Sequence, residues 1–166
     1  MPTLYIMCGL PFSGKTTLAK KIAEKTGAKL IAFDRIWAEK KGELIPDIDK
    51  VAEWRFILSV AYKRIRETLS ANRSVVYDDI NVRKEHRAAL QTIAKETQAA
   101  FVIVYLNTPM SEIKSREARN KTSKKRHEVA SVNFNKAIRQ WQAPTGEAGV
   151  VEYKPDTDLG VWWRNL

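Results

Sequence analysis

The sequence lacks most of the features that mark secreted and membrane-spanning proteins. It contains one cysteine, Cys8, so no disulfide can form within the chain, and we expect a reducing, cytoplasmic setting. No apolar run approaches the roughly 20 residues of a membrane-spanning helix. A predicted strand begins so close to the N-terminus that we expect no removable targeting segment. The two histidines, His86 and His127, have no metal-ligand spacing, and we interpret both as solvent-exposed.

Acidic residues are scarce beside basic ones. The chain has 29 lysines and arginines against 19 aspartates and glutamates, which gives a formal net charge of +10. Many of these cations fall in one segment, at Lys114, Arg116, Arg119, Lys121, Lys124, Lys125 and Arg126. Such a segment can be a lid over a triphosphate, a solvated helix face, or a groove that follows a nucleic-acid backbone. We favour the lid, at about residues 116–127, over nucleic-acid binding.

One motif carries most of the functional information. Residues 9–16 read G-x-x-x-x-G-K-[ST], with Gly9 and Gly14 as the two glycines. An apolar run at 4–8 predicts a strand before it, and a helical pattern follows from Thr17, which is the context in which this motif cradles phosphate. The glycines allow close backbone approach, and the loop amides and helix N-terminus point at an anion. The sequence therefore predicts a nucleoside-triphosphate site.

The side chains of this loop have distinct predicted roles. Lys15 can bridge oxygens of the β- and γ-phosphates, and the Thr16 hydroxyl can ligate Mg²⁺. The predicted nucleotide-binding residues of the loop are Gly9, Pro11, Phe12, Ser13, Gly14, Lys15, Thr16 and Thr17.

Strands alternate with helices along the chain. Apolar runs predict strands at 4–8, 29–33, 74–77, 100–106 and 150–153. Helices are predicted between them, the later ones from Pro109 and at 129–141. This order predicts an α/β fold of the P-loop NTPase type, a three-layer sandwich with a five-stranded parallel sheet and a short basic lid. No linker divides the chain, so we expect a single domain over 1–166, with acceptor-side helices at about 35–71.

Two helices have a predicted inward face. In the helix at about 50–71, the residues that recur at three- and four-residue steps are Val51, Trp54, Leu58, Ala61, Ile65 and Leu69. Asn81 is the predicted N-cap of the next helix, which carries Leu90, Ile93 and Ala94 inward. Trp162 and Trp163 are expected to pack the C-terminal residues onto the domain.

Three aspartates follow predicted strands. In parallel α/β sheets, ligands bind beyond the carboxyl ends of the strands, where Asp34, Asp78 and Asp79 are expected. Phosphoryl transfer to a hydroxyl needs one carboxylate to accept or orient the acceptor proton and another to hold Mg²⁺. We assign the first role to Asp34. The second role falls to Asp78 or Asp79, with Asp78 favoured as the metal ligand.

Arginines are the predicted stabilisers of the transferring phosphoryl group, because one guanidinium can clamp two oxygens. Arg116 and Arg119 lie one helical turn apart, so both can face the nucleotide, and Arg116 is the predicted catalytic one. Arg126 can approach from the far side of the basic segment. Trp37 and Trp54 are interpreted as core residues, with walls of an acceptor pocket as the alternative.

The order of these parts resembles a small P-loop kinase family. The residues that carry the resemblance are Gly9–Thr16, Phe33-Asp34, 76–81, 104–109, Arg116–Arg119 and 134–147. This group shares a domain with polynucleotide 5′-kinases, chloramphenicol phosphotransferase, gluconate kinases and seryl-tRNA kinase. The resemblance implies ATP as donor, Mg²⁺, phosphate and metal roles for Lys15 and Thr16, Asp34 as acceptor base, and Arg116 in the lid. Polynucleotide kinases carry an arginine three residues after that aspartate, where Trp37 stands here.

The leading hypothesis is therefore an ATP-dependent kinase that phosphorylates a hydroxyl of a small molecule. One alternative is a kinase that acts on a hydroxyl of a nucleic acid or tRNA. Another is a nucleotide-binding regulatory protein without acceptor chemistry. The segment 35–71 belongs to the acceptor side and leaves the acceptor unidentified.

Overall fold

A computed structural model describes residues 1–44, 48–123 and 131–166. Within these residues, the centre of the molecule is a five-stranded sheet in the order β2-β3-β1-β4-β5, with every neighbouring pair parallel. Its strands are β1 Thr3–Cys8, β2 Lys29–Ala32, β3 Val75–Asp78, β4 Ala100–Leu106 and β5 Val150–Tyr153. All five strands predicted from the apolar runs are present, each within one residue of its predicted bounds. The central strand β1 is almost wholly buried, as a parallel strand covered on both faces should be.

Helices cover both faces of the sheet. They are α1 Lys15–Thr26, α2 Phe33–Lys40, α3 Lys50–Ser70, α4 Lys84–Glu96, α5 Met110–Ser123, α6 Ser131–Gln140 and α7 Leu159–Trp162, with short 3₁₀ turns at Lys41–Glu43 and Trp163–Asn165. One core cluster joins the sheet to α3 and α4 through residues such as Ile65 and Leu90. A second joins the opposite face to α1 and α7 through Leu18, Ile22 and Trp162. The predicted three-layer α/β sandwich is thus confirmed.

The inward face of α3 differs from the prediction in its first two turns. Val51 and Trp54 are 52% and 37% exposed, whereas Glu53 and Ile57 face the interior. Glu53 is buried because α2 supplies a polar partner: the indole N–H of Trp37 donates to Glu53 Oε1 at 2.5 Å. Leu58 is only partly buried, and from Ala61 onward the helix follows the prediction, with Ala61, Ile65 and Leu69 buried.

Two local predictions around the strand ends were wrong. Strand β2 stops at Ala32, and Phe33 and Asp34 already form the first turn of α2, so the acceptor-side helices begin earlier than the predicted bound of about 35. Asn81 is not an N-cap, since α4 begins three residues later at Lys84. Its side-chain amide instead donates to Met7 O at 2.8 Å and ties the loop after β3 to β1. Leu90, Ile93 and Ala94 are buried as predicted.

Two aromatic contacts show where Trp162 and His86 lie. Trp162 is buried and packs edge-on against Tyr153, with ring centroids 5.4 Å apart, so it does anchor the C-terminal residues. The His86 ring lies 5.3 Å from the Trp54 ring and is half-buried, contrary to the predicted exposure.

Residues 124–130, which include His127, lie outside the described residues. Among the described helices, none combines the length and apolar character needed to cross a bilayer.

Candidate active site

The loop between β1 and α1 has the tight backbone that its glycines permit. Gly14 has φ 103°, a left-handed conformation, directly before the first residue of α1. A Cβ atom on Gly9 would lie 2.8 Å from Ser13 Oγ, so a side chain there would displace the loop. In the described structure no side chain caps α1 and its first turn has no acidic residue. The positive end of the helix therefore faces the loop and can receive an anion.

Lys15 is buried inside this loop. Its side chain is enclosed, and Nζ donates to Leu10 O at 2.8 Å. Burial lowers the pKa of Lys15, while the carboxylates of Asp78, Asp79 and Asp34 act in the opposite direction. The ammonium group is therefore within electrostatic reach of all three predicted strand-end acids.

The second of these acids pairs with the loop. Asp78 is the last residue of β3 and is 8% exposed. Burial raises its pKa, and a hydrogen bond with the Thr16 side chain opposes that shift. A hydroxyl and a carboxylate held together are the oxygen donors that Mg²⁺ prefers. Thr16 and Asp78 therefore fit the predicted metal site.

Asp79 has a different environment from Asp78. It accepts hydrogen bonds from Tyr77 Oη at 3.1 Å and from the Ile80 amide at 2.7 Å. Burial raises the pKa of Asp79 to about 6, and the negative charge of Asp34 adds to this shift. Both carboxylate oxygens of Asp79 thus have local partners. Asp34 is exposed in the first turn of α2 and is the most solvent-exposed of the three acids.

The predicted arginines line a cleft beside the loop. Arg116 Nη1 donates to Phe12 O at 3.1 Å, and its other terminal nitrogen pairs with Glu112. The cleft has a volume of about 850 Å³. Its lining includes Phe12, Ser13, Gly14, Thr17, Lys21, Arg116, Arg119, Tyr153 and Pro155. Arg126 lies outside the described residues, and Pro11 is half-buried at the turn of the loop.

Sequence reasoning missed some residues of this cleft. Lys21, Tyr153 and Pro155 have no motif and reach the cleft only because α1 and the end of β5 flank the loop. Trp37 lies one turn after Asp34 with its indole N–H bonded to Glu53, and its role in an acceptor pocket stays a prediction.

Arg87 was also missed, although it is the largest fully buried side chain among the described residues. Its guanidinium pairs with Glu147 at 2.5 Å, and Nη1 donates to Asn81 O at 2.8 Å. Burial disfavours the charge most strongly, but the hydrogen bonds and charge of Glu147 act together with the Cys8 sulfur in the opposite direction, and the pKa of Arg87 lies above its usual value. This ion pair fixes the loop that follows Asp78. No local pattern signals it, because its partners are 60 residues apart.

The fold and the site together define a small P-loop kinase: a phosphate loop, strand-end carboxylates and the arginines of a later helix meet at one edge of a parallel sheet. A family model, AAA_33, described as an AAA domain, matches residues 4–144. The chain therefore belongs to the AAA_33 family.

The curated relatives of this chain include a kinase and a phosphodiesterase. The chain is 32% identical over 108 residues to an L-seryl-tRNA(Sec) kinase of Methanococcus maripaludis, across 65% of this chain and 42% of that protein. It is 36% identical over 109 residues to a 2′,3′-cyclic-nucleotide 3′-phosphodiesterase of Mus musculus, across 61% of this chain and 23% of that protein. The chain thus spans less than half the length of these two curated relatives.

A solved structure shares the fold along nearly the whole chain. Kti12 from Chaetomium thermophilum, in complex with ADP-AlF3, superposes with a TM-score of 0.74. The match covers 97% of this chain and 94% of that one, at 17% identity. At this level of identity the likeness concerns the fold.

Proposed function

We propose that this protein is an ATP-dependent kinase that transfers the γ-phosphoryl group to a hydroxyl of a small-molecule acceptor. The observation that carries the proposal is the convergence of Lys15, the Thr16–Asp78 pair and the solvent-open Asp34 at one edge of the sheet. A site for nucleotide storage alone would not need an acid such as Asp34 beside the phosphate position.

Each side chain has a defined part in the proposed reaction. Lys15 holds the β- and γ-phosphate oxygens, and Mg²⁺, held by Thr16 and Asp78, would neutralise phosphate charge when bound. Asp34 accepts the proton of the acceptor hydroxyl as that oxygen bonds to the γ-phosphorus. The bond between the γ-phosphorus and the bridging oxygen breaks, and ADP leaves. Arg116 stabilises the charge on the transferring group from the α5 side.

Nucleotide binding is the first test of this proposal. Isothermal titration with Mg²⁺ and ATP is expected to give binding that Lys15→Ala abolishes, because the loop then loses its buried cation. Lys25→Ala, at the C-terminal end of α1 and over the Trp163 ring, is the matched control and should bind normally. Absence of binding by the wild-type protein at millimolar ATP would refute the proposal.

Acceptor chemistry is the second test. A screen of hydroxylated metabolites, antibiotics and oligonucleotides for acceptor-stimulated ADP release identifies the acceptor class. With an acceptor in hand, Asp34→Asn should lower kcat on the order of 10²–10⁴-fold, the usual contribution of a general base. If Asp34→Asn keeps full turnover while nucleotide still binds, a nucleotide-binding regulatory protein becomes the better interpretation.

A hydroxyl of RNA is the second candidate acceptor. The observations that favour it are the net charge of +10 and the relationship to a seryl-tRNA kinase. Against it, Trp37 occupies the position at which polynucleotide kinases carry an arginine. Oligonucleotides in the acceptor screen distinguish the two candidates directly.

A further inference from the structure

The backbone of Phe12, in the middle of the phosphate loop, is strained. Its φ of 65° lies in the left-handed region, which glycine enters freely and which other residues adopt only at a cost. Such a conformation persists where the surrounding structure holds it in place. The structure supplies two contacts that can do so.

The first contact comes from α5 and the second from α6. Arg116 Nη1 donates to the carbonyl oxygen of Phe12 at 3.1 Å. Phe134, on α6, meets the Phe12 ring edge-on, with centroids 5.9 Å apart and planes at 70°. Such edge-to-face pairs are attractive beyond the area that they bury. The carbonyl and the side chain of Phe12 are therefore held from different helices.

Phe134 belongs to a buried group that we call the loop-support cluster, formed by Leu10, Val82, Ile113, Phe134 and Ala137. Phe134 is 4% exposed and shares this cluster with Leu10, a second residue of the phosphate loop. Leu10 O accepts from Lys15 Nζ at 2.8 Å and from the Ser13 amide at 3.2 Å. The cluster thus supports the backbone to which Lys15 and Ser13 are bonded.

We propose that Phe134 is a positioning residue for nucleotide binding: its ring holds Phe12 in the left-handed conformation and so keeps the phosphate loop in its binding shape. This inference rests on the proposed function only in that the loop binds a nucleotide. It assigns to α6 a role in ATP affinity although Phe134 does not line the cleft. If the Phe134 ring acts by offsetting the strain at Phe12, the ring becomes unnecessary when glycine, which is not strained in this conformation, stands at position 12.

A double-mutant cycle tests this dependence. The wild type, Phe134→Leu, Phe12→Gly and the double variant are titrated calorimetrically with ATP and Mg²⁺, each full-length and below its melting temperature. Phe134→Leu is expected to raise the Kd for ATP about tenfold with Phe12 present and less than about twofold with glycine there, a coupling typical of contacting residues. Leu90→Ala, on the buried face of α4, is the control: it is expected to lose stability and to keep the Kd for ATP.

Two results would overturn the proposal: an equal rise in Kd in both backgrounds, or an unchanged Kd in Phe134→Leu. Phe134→Met, whose flexible unbranched side chain can fill an irregular gap, replaces Phe134→Leu if the leucine variant does not fold. Failure of the wild type to bind ATP would refute the kinase proposal itself. That outcome is seen with the wild type alone, so it is distinguishable from failure of the Phe134 proposal.

Discussion

At the scale of single residues, burial sets the charge balance of the site. Lys15 is the one enclosed ammonium group described next to Asp34, Asp78 and Asp79, and those carboxylates act on its pKa. The negative charge of Asp34 in turn raises the pKa of both other acids. The three carboxylates therefore outnumber the ammonium group at this end of the sheet. This excess of negative charge favours a divalent cation between the acids and the phosphates of a bound nucleotide.

The titration of Asp79 makes stability depend on pH. Its pKa rises from 3.8 to about 6 on folding, mainly through burial. Between these values the folded state keeps a proton that the unfolded chain has lost, so the free energy of unfolding falls as pH rises from about 4 to about 6. Asp79→Asn cannot ionise, and its oxygen can still accept from the Ile80 amide. We expect this variant to be more stable than the wild type at pH 7 by about 1–2 kcal/mol, a figure discounted for partial exposure.

Urea unfolding of both proteins at several pH values between 4 and 7 measures this effect. The wild-type midpoint should decline over that window more steeply than the midpoint of Asp79→Asn. Parallel curves would mean that another group, such as Asp78, causes the pH dependence.

At the scale of elements, the loops that follow the strands are fixed by side chains from distant helices. The loop after β3 is held by Arg87, whose partner Glu147 lies beyond α6. Asn81, in the same loop, receives the Arg87 bond on its carbonyl and donates to β1 through its side chain. The position of Asp78 relative to Thr16 therefore depends on contacts outside the local sequence.

Removing one partner of this ion pair should be costly. Glu147→Gln leaves the buried guanidinium of Arg87 without a counter-charge, and we expect the free energy of unfolding to fall by about 2–4 kcal/mol. The matched control is Glu39→Gln, which breaks an ion pair with Arg64 on the surface and should have a far smaller effect. Urea denaturation measures both. Equal losses in the two variants would show that burial of Arg87 adds nothing to the strength of its pair.

Helix α5 should contribute to catalysis through one side chain. Arg116 lies against the loop, with Nη1 3.4 Å from the position that a Cβ on Gly14 would take. Arg116→Ala is expected to lower kcat by roughly 10- to 1,000-fold, since a guanidinium that stabilises the transferring phosphoryl group is lost. Lys114→Ala, on the same helix and exposed, is the matched control and should keep its kcat.

Steady-state kinetics with the identified acceptor separates the two variants. A change confined to KM for ATP in Arg116→Ala would make this residue a nucleotide-binding one without a role in the transition state. The predicted lid continues to residue 127, and its part from Lys124 onward lies outside the described residues.

At the scale of the whole molecule, the excess positive charge is partly concentrated at the cleft. Lys21, Arg116 and Arg119 line it, whereas several cations of α3 are paired with glutamates, as in Arg64–Glu39 and Arg66–Glu96. Arg116 also pairs with Glu112, and a triphosphate would use part of the positive charge at the cleft. The net charge therefore does not by itself require a nucleic-acid partner.

Salt dependence tests this interpretation. We expect single-stranded RNA to leave ADP release unstimulated and its binding to show a shallow slope against log[salt], because few phosphates are contacted. Fluorescence titration with a labelled oligonucleotide at several salt concentrations gives the slope. A steep slope together with RNA-stimulated ADP release would favour the RNA acceptor over a small molecule.

Local sequence was sufficient to determine the sheet and the phosphate loop. Strands β4 and β5 were predicted at their observed bounds, because an apolar run between breaking residues has few alternatives to a buried strand. Gly9 and Gly14 were placed correctly because a positive φ and a close approach each exclude a side chain. These requirements act within a few residues, so the sequence alone contains them.

Tertiary structure decided the parts that depend on residues far apart in the chain. Glu53 and not Trp54 faces the interior from α3 because Trp37 bonds to Glu53, and Asp78 differs from Asp79 because the Thr16 side chain bonds to it. Likewise, Arg116 reaches Phe12 across 104 residues. Each of these contacts forms only when the sheet brings distant elements together, and hydrophobic periodicity does not record which polar partner a buried group will meet.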